Sequence, residues 1–326
     1  MTLRRSAVNA ALFLALLAGC GFAVDNRIGN RTARALDTYP PLGRFVTVEG
    51  RRVHYVQRGS GPDLVLLHGA SGNLREFTFD MMTRLEGRYR VTAFDRPGLG
   101  YTDENPRLAG SFDARSESPM AQAALLAKAA REIGIENEVV LGHSYGGAVA
   151  MAWALEHDPA AAVIVSGATQ PWPGGLGPLY TFTGTALGGA TVVPLISAFA
   201  PRSLTDNVVA KVFAPQTPPV DYVDYVGVSL AMRPASFRAN AQQVKALHAH
   251  LVDMSPRYAG LDLPVEILHG TADEIVPLEV HSEPLAEQIP GATFTRLEGI
   301  GHMPQHSARD EVIAAIDRAT ARAGLR

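Results

Sequence analysis

A serine flanked by glycines is the first place in this sequence with the residue types for chemistry. The motif Gly142-His143-Ser144-Tyr145-Gly146 lies between an apolar run at 138–141 and a segment with helical character. Glycines two residues on either side let a strand and a helix approach closely, and the serine takes a strained backbone conformation that exposes its hydroxyl. The motif in this setting predicts a nucleophile, whereas the same letters in an ordinary turn would be structural.

A serine hydroxyl is a weak nucleophile at neutral pH and needs a base that is oriented by a carboxylate. Downstream of Ser144, the apolar run 265–268 leads to Asp273, and the run 292–297 leads to His302. The order serine, acid, histidine is the one that this strand-to-helix setting requires. We expect the three side chains to converge at one sheet edge. Glu274, beside Asp273, is the alternative acid.

Other histidines have structural interpretations. His68, His143 and His269 lie in backbone-shaping motifs, and we interpret them as loop-packing residues. His306 follows His302 by four residues, a spacing that binds metal on a helix, but Pro304 between them argues against a regular turn. We therefore predict no metal site and no cofactor.

Apolar runs and helical segments alternate along most of the chain. A hairpin at 45–56, with a Glu49-Gly50 turn, precedes runs at 63–67, 90–94, 138–141, 161–165, 265–268 and 292–297. Helical patterns occupy 74–85, 120–133, 148–156 and 308–323. Continuous apolar strands that alternate with helices indicate an α/β fold with a mostly parallel sheet covered by helices on both faces.

The alternation fails between residues 170 and 257, where proline and glycine are frequent. Such an insertion is too long for a simple loop. We expect it to form a helical cap over the sheet edge at which ligands bind in open α/β sheets. The predicted core is then divided into 44–169 and 258–326.

With these motifs in order, the chain from about residue 44 to its C-terminus resembles the α/β-hydrolase fold superfamily. His68-Gly69-Ala70 and the segment from Asp95 to Gly100 also match. The resemblance implies Ser144 as nucleophile, His302 as general base and then acid, and Asp273 as its orienting partner. It further implies an oxyanion hole formed by the backbone N–H groups of Ala70 and Tyr145.

The first twenty residues form a separate feature. Arg4 and Arg5 precede an apolar run at 7–18, and Leu17-Ala18-Gly19-Cys20 follows. This is the layout of an export signal. The last four residues resemble the bacterial lipobox, which implies acylation of Cys20, with 1–19 removed and 20–43 as a tether without a packed strand. We therefore expect the protein to be exported and anchored to a membrane. An ordinary cleaved signal peptide and an uncleaved N-terminal anchor are the alternatives for this segment.

The amino-acid composition argues against some classes of function. The chain has 326 residues, 47% of them hydrophobic, and a net charge of −3, with 29 Lys and Arg against 32 Asp and Glu. That balance gives no positive field for a nucleic-acid backbone. Cys20 is the single cysteine, so an intrachain disulfide is impossible.

A serine nucleophile indicates an acyl-enzyme and therefore small-molecule esters or related acyl substrates. Haloalkane dehalogenases and epoxide hydrolases of this fold need a carboxylate where Ser144 stands. We predict a carboxylesterase-like hydrolase. The same triad also serves C–C bond hydrolysis and cofactor-free perhydrolysis, and a membrane-tethered binding module without catalysis is the alternative from another class.

Overall fold

The computed structural model describes the backbone of residues 2–325, and the side chains of all of these except 2–8, 10–15 and 17. The described residues form one eight-stranded sheet with strand order β1-β2-β4-β3-β5-β6-β7-β8. The strands are β1 (Arg44–Val48), β2 (Arg51–Arg58), β3 (Asp63–Leu67), β4 (Arg90–Phe94), β5 (Val139–His143), β6 (Ala161–Val165), β7 (Val265–Gly270) and β8 (Thr293–Leu297).

The sheet is mostly parallel. β1 and β2 form the predicted antiparallel hairpin, and β2 pairs antiparallel with β4. All other neighbours are parallel. Every residue of β3, β5, β6 and β7 is buried, which explains why these strands read as continuous apolar runs rather than alternating ones. The predicted fold class is confirmed.

Helices cover both faces of this sheet. One face packs against α4 (Pro119–Glu132), α5 (Tyr145–Glu156) and α11 (Leu278–Gln288). The other packs against α2 (Arg75–Thr78), α3 (Met81–Leu85) and α13 (Arg309–Arg322). The segment 74–85, predicted as one helix, is two, because the backbone at Asp80 (φ −149°) leaves the helical range. The four-residue α12 (Pro304–Ser307) precedes α13.

The insertion between β6 and β7 is helical. It contains α6 (Pro178–Thr183), α7 (Ala186–Phe199), α8 (Arg202–Phe213), α9 (Tyr222–Val226) and α10 (Pro234–Met254), together with two short 3₁₀ segments, Val228–Leu230 and Ser255–Gly260. α6 and α7 pack on α10, and α10 packs on the core. We call this segment the cap.

The first helix, α1 (Thr2–Thr38), runs through both the predicted signal segment and the predicted tether. The tether was expected to lack a packed strand, and the structure makes it a helix that docks on α7. Arg27 Nε donates to the Ala198 carbonyl at 2.7 Å, and Arg31 donates to the Ala198 and Ala200 carbonyls at 2.9 Å each. These carbonyls lie at the C-terminal end of α7, where helical backbone lacks partners and cations are favourable.

Among the described residues, no single helix is long and apolar enough to cross a membrane. The consecutive helices α7 and α8 reach the necessary length and hydropathy only together, and the chain bends by 101° between them.

Candidate active site

Ser144 occupies a sharp turn between β5 and α5. Its backbone has φ 54° and ψ −120°, a conformation that residues with a Cβ adopt only under strain. A Cβ on Gly142 would lie 2.1 Å from the Gly146 carbonyl oxygen, and one on Gly146 would lie 2.2 Å from the Leu67 carbonyl oxygen. Both positions therefore require glycine. The close backbone contacts at these two glycines form a tight turn, which places Ser144 at the carboxyl end of β5.

Asp273 and His302 meet beside this turn. His302 Nδ1 lies 2.7 Å from Asp273 Oδ2, and both residues are buried. The other carboxylate oxygen accepts from the N–H groups of Ile275 and Val276 at 2.9 and 3.0 Å. Glu274, the alternative acid, is exposed. The structure thus places Asp273, and not Glu274, against the imidazole.

The charge state of this pair follows from its surroundings. Burial acts to raise the pKa of Asp273, but hydrogen bonds from His269 and His302 outweigh it and hold the pKa well below its usual range. Burial of the His302 ring lowers its pKa from the ordinary 6.5, against the opposing effect of Asp273. At neutral pH the pair is therefore a carboxylate beside a neutral imidazole, which leaves Nε2 as an acceptor once Nδ1–H donates to Asp273.

The lowered pKa of His302 gives a pH prediction. A general base acts in its neutral form, so activity rises as pH increases through its pKa. We expect the acid limb of the kcat/KM profile to have its midpoint below 6.5, the ordinary histidine value. The measurement is hydrolysis of an uncharged ester across pH, and a midpoint above 6.5 would contradict the assignment of His302 as the base.

His269 has a role that the sequence interpretation missed. Its Nε2 lies 3.0 Å from Asp273 Oδ2 and 2.7 Å from the Val276 carbonyl oxygen, so this nitrogen carries the proton and donates to both. Its Nδ1 lies 2.6 Å from Ser282 Oγ and accepts from that hydroxyl. His269 therefore orients the acid rather than only packing the loop. The available sequence signal was its position at the end of β7, four residues before Asp273.

His143 connects the serine turn to the His302 loop. Its Nε2 donates to the His302 carbonyl at 2.8 Å, and the two rings lie 4.9 Å apart between centroids. Its Nδ1 lies 3.0 Å from Glu76 Oε1. Burial acts to raise the pKa of Glu76, but His143 outweighs it and the pKa falls to about 2; the pKa of His143 is correspondingly raised. These buried contacts with Glu76 and with the His302 carbonyl thus hold the residue next to Ser144 against the loop of His302.

The two predicted oxyanion donors flank Ser144. Tyr145 is the first residue of α5, so its N–H has no partner within the helix. Ala70 follows Gly69, and a Cβ on Gly69 would lie 3.0 Å from Ser144 Cβ, so the Gly69–Ala70 peptide runs directly beside the serine. The arrangement suits two N–H groups that stabilise one negative oxygen.

Arg96 supports that peptide from behind. Its buried guanidinium donates from Nη2 to the Gly69 carbonyl at 3.0 Å and from Nε to the His68 carbonyl at 2.9 Å, and it stacks on the Tyr145 ring at 4.3 Å. The Gly69 carbonyl and the Ala70 N–H belong to one planar trans peptide and point in opposite directions. A cation on the carbonyl therefore polarises the N–H on the other side. Arg96 therefore has an electrostatic effect on this peptide in addition to its packing contacts.

We expect Arg96→Lys to reduce kcat by about tenfold to a hundredfold with a smaller effect on KM, because lysine cannot hold two carbonyls and the aromatic face together. The measurement is steady-state ester hydrolysis, together with the affinity for a boronic acid that mimics the tetrahedral intermediate. Arg233→Lys is the control, since Arg233 also binds loop carbonyls, those of Leu230 and Gly100. Equal losses in both variants would assign Arg96 a purely structural role.

The cap contacts both loops of the site. Asn240 on α10 accepts from the Ser71 N–H at 2.6 Å and donates to the Ser71 hydroxyl at 2.9 Å, beside the Gly69–Ala70 peptide. Gln216 accepts from the Gly301 N–H at 2.9 Å and donates to the Gly299 carbonyl at 2.7 Å, beside His302. The cap is therefore hydrogen-bonded to the loop of Ala70 and to the loop of His302.

The remaining predicted residues lie elsewhere. His306 packs against aromatic rings of the cap, with centroid distances of 5.7 Å to Phe213 and 4.8 Å to Tyr222. Asp95 accepts hydrogen bonds from His54 and from the backbone N–H groups of Leu74 and Tyr101, as a structural residue does. Cys20 is exposed on α1.

Comparison with known proteins places this geometry in context. The sequence profile described as the alpha/beta hydrolase family matches residues 64–315. An uncharacterised protein of Mycobacterium tuberculosis is 25% identical over 295 residues, which cover 86% of this chain and 82% of that protein.

Solved structures share the fold. An alpha/beta hydrolase fold protein from Burkholderia ambifaria has a TM-score of 0.68 at 24% identity, with 84% of this chain and 97% of that chain covered. An esterase from Rhodococcus sp. ECU1013 has a TM-score of 0.64 at 26% identity, with 86% and 99% covered. These likenesses support a hydrolase.

Proposed function

Because this chain belongs to the alpha/beta hydrolase family, we propose that it is a serine hydrolase that cleaves carboxylic esters through an acyl-enzyme. The observation that carries the proposal is the buried hydrogen bond of 2.7 Å between His302 Nδ1 and Asp273 Oδ2, at the end of the sheet where Ser144 stands in a strained turn. A neutral imidazole held by a carboxylate is the base that a serine nucleophile needs.

In the proposed reaction, Ser144 Oγ attacks the ester carbonyl and its proton passes to His302 Nε2. The carbonyl π electrons move to oxygen, and the N–H groups of Ala70 and Tyr145 stabilise the resulting oxyanion. Collapse of the intermediate breaks the bond to the alcohol, which leaves with the proton from His302. A water molecule then attacks the acyl-enzyme by the same steps, releasing the acid and restoring Ser144.

Each supporting contact contributes to one of these steps. Asp273 stabilises the imidazolium that forms during attack, and it is itself held by His269 and by two backbone N–H groups. Arg96 polarises the Gly69–Ala70 peptide toward the oxyanion. The proposed chemistry therefore uses groups that are already oriented before substrate binds, which is the arrangement that lowers an acyl-transfer barrier most.

The test is covalent labelling by a fluorophosphonate, which phosphonylates an activated serine. We expect stoichiometric labelling of the full chain, with the adduct mapped by mass spectrometry to the peptide that contains Ser144. A panel of p-nitrophenyl esters of graded acyl length then identifies the preferred acyl group. A folded protein that stays unlabelled and hydrolyses none of these esters would favour the non-catalytic binding module.

We also propose that the protein is exported and anchored to a membrane through its first residues, either by a lipid on Cys20 or by an uncleaved apolar segment. The supporting observations are the basic and apolar pattern of residues 4–18 and the exposure of Cys20. Mass spectrometry of the protein from membranes distinguishes the alternatives. A diacylglyceryl adduct at an N-terminal Cys20 supports the lipoprotein, whereas an intact Met1 supports the uncleaved anchor.

A further inference from the structure

An apolar stripe on α7 faces solvent. Leu187, Leu195 and Phe199 are 61%, 49% and 55% exposed, and Thr191 between them is also exposed. Their spacing of four and eight residues puts them on one face of the helix. The opposite face, which includes Val193 and the small residues at 188, 189, 197 and 198, is buried against the cap. The stripe is therefore a second apolar face of α7 that stays largely exposed to solvent.

Neighbouring elements extend this stripe. Leu179 and Phe182 on α6 are about half exposed, and so are Leu204 and Val208 on α8, while Phe22 on α1 is 73% exposed. We call these residues and the α7 stripe the cap patch. The segment 171–201 contains no Asp, Glu, Lys, Arg or His, although 19% of the chain is Asp, Glu, Lys or Arg. α6 and α7 thus expose apolar side chains and carry no charged residue, whereas α8 at the edge of the patch carries Arg202, Asp206 and Lys211. A large exposed apolar surface rimmed by polar residues indicates an interaction site.

The N-terminal helix brings a membrane-seeking segment to this patch. Arg27 donates to the Ala198 carbonyl and stacks on the Phe199 ring at 5.2 Å, so α1 is fixed at the end of the stripe. Cys20 precedes Arg27 by seven residues on the same helix, which corresponds to about 10 Å along the axis. The apolar run at 7–18 continues from there. A lipid on Cys20 and an inserted apolar segment would both hold the stripe beside the bilayer.

We propose that the cap patch is a membrane-docking surface, and that its occupant is the acyl region just below the lipid headgroups. An apolar helical face without charges suits that depth, where docked helices bury their apolar side chains by about 5–10 Å. The continuity of α1 between the apolar N-terminal run and the end of α7 favours lipid over a second copy of this chain as the occupant. The proposal rests on the membrane anchoring proposed above and is independent of the hydrolase chemistry.

The experiment uses the full chain with its only cysteine replaced, Cys20→Ser, and one new cysteine at Leu195→Cys labelled with an environment-sensitive fluorophore. Val252→Cys is the matched control, because Val252 is equally exposed (49%) on a cap helix, α10, outside the patch. Both proteins are mixed with phosphatidylcholine vesicles whose acyl chains carry bromine, which quenches by contact. We expect quenching at position 195 to be at least about twice that at position 252, with a blue shift at 195 only.

A second substitution tests whether the patch itself makes the contact. Adding Leu187→Asp to the Leu195→Cys protein places an acid on the same face, about two helical turns from position 195. Because Leu187 is exposed, the fold should survive, as circular dichroism would verify. We expect the quenching at 195 to fall to the level at 252. Equal quenching at 195 and 252 in the parent proteins would overturn the proposal. Disulfide-linked dimers of the unlabelled Leu195→Cys protein without vesicles, absent from unlabelled Val252→Cys, would also overturn it, in favour of a second copy.

Discussion

Ser144→Ala should reduce kcat for ester hydrolysis by about 10⁵–10⁶-fold, the loss typical of removing a triad nucleophile. The fold should remain intact for two reasons. Serine and alanine both carry a Cβ, so the strain at φ 54° is the same, and the Ser144 N–H still donates to the Val165 carbonyl. The hydroxyl does not cap α5, so the helix loses no hydrogen bond. The measurement is turnover of a p-nitrophenyl ester, with thermal unfolding to verify stability.

Ser166→Ala is the matched control for that experiment. Ser166 follows the neighbouring strand β6, it also has a positive φ (45°), and its buried hydroxyl has no partner among the described residues. Removing that hydroxyl should leave kcat unchanged, because it makes no hydrogen bond to any described residue. Near-normal turnover by Ser144→Ala, or an equal loss in Ser166→Ala, would reject Ser144 as the nucleophile.

The three main residues of the candidate site could be predicted because each of the sequence signals that point to them is local. Strand runs, the glycine spacing around Ser144 and the polar loops after β7 and β8 are each readable within a few residues. The convergence of Asp273 and His302 then follows from parallel strands that end at one edge. The distance of 2.7 Å between His302 Nδ1 and Asp273 Oδ2 agrees with the proximity that this topology predicts.

The supporting contacts were not predictable in the same way. Glu76 lies on the short helix α2, 67 positions before His143. The sequence near either residue does not indicate that the two side chains form a buried contact. His269 was assigned to loop packing because a sequence does not reveal which groups a side chain contacts. For the same reason, the sequence does not show that Arg96 binds the Gly69 carbonyl. Such contacts depend on side-chain geometry at the end of folding rather than on periodicity.

The α1 helix illustrates a tertiary effect that overrides local pattern. Glycine and asparagine between 21 and 32 weaken helix propensity, so the sequence alone favours an irregular tether. In the structure Arg27 and Arg31 satisfy the open carbonyls at the end of α7, and this docking stabilises the helix. The stabilisation from packing against α7 outweighs the cost of glycine in a helix, which is about 1 kcal/mol per residue.

Asp273→Asn is expected to lower kcat by about 10⁴-fold, the loss typical when the carboxylate of a triad becomes an amide. The hydrogen bonds around Asp273 explain why an isosteric change is so harmful. Oδ1 accepts from two backbone N–H groups, and Oδ2 accepts from His302 and His269. Asparagine replaces one of these two accepting oxygens by an NH₂ group, which donates. The NH₂ group must therefore face either the two backbone N–H donors or the two imidazole N–H donors.

The second orientation accounts for the loss. If the NH₂ faces His302, Nδ1 must accept, the proton moves to Nε2, and the ring no longer has a free lone pair for the Ser144 proton. The first orientation places two donors against the rigid Ile275 and Val276 amides and destabilises the loop. Measuring kcat alongside unfolding separates these outcomes. Glu274→Gln, a neighbouring acid-to-amide change at an exposed residue, should leave kcat near normal; a large loss there with little effect at Asp273 would reassign the acid.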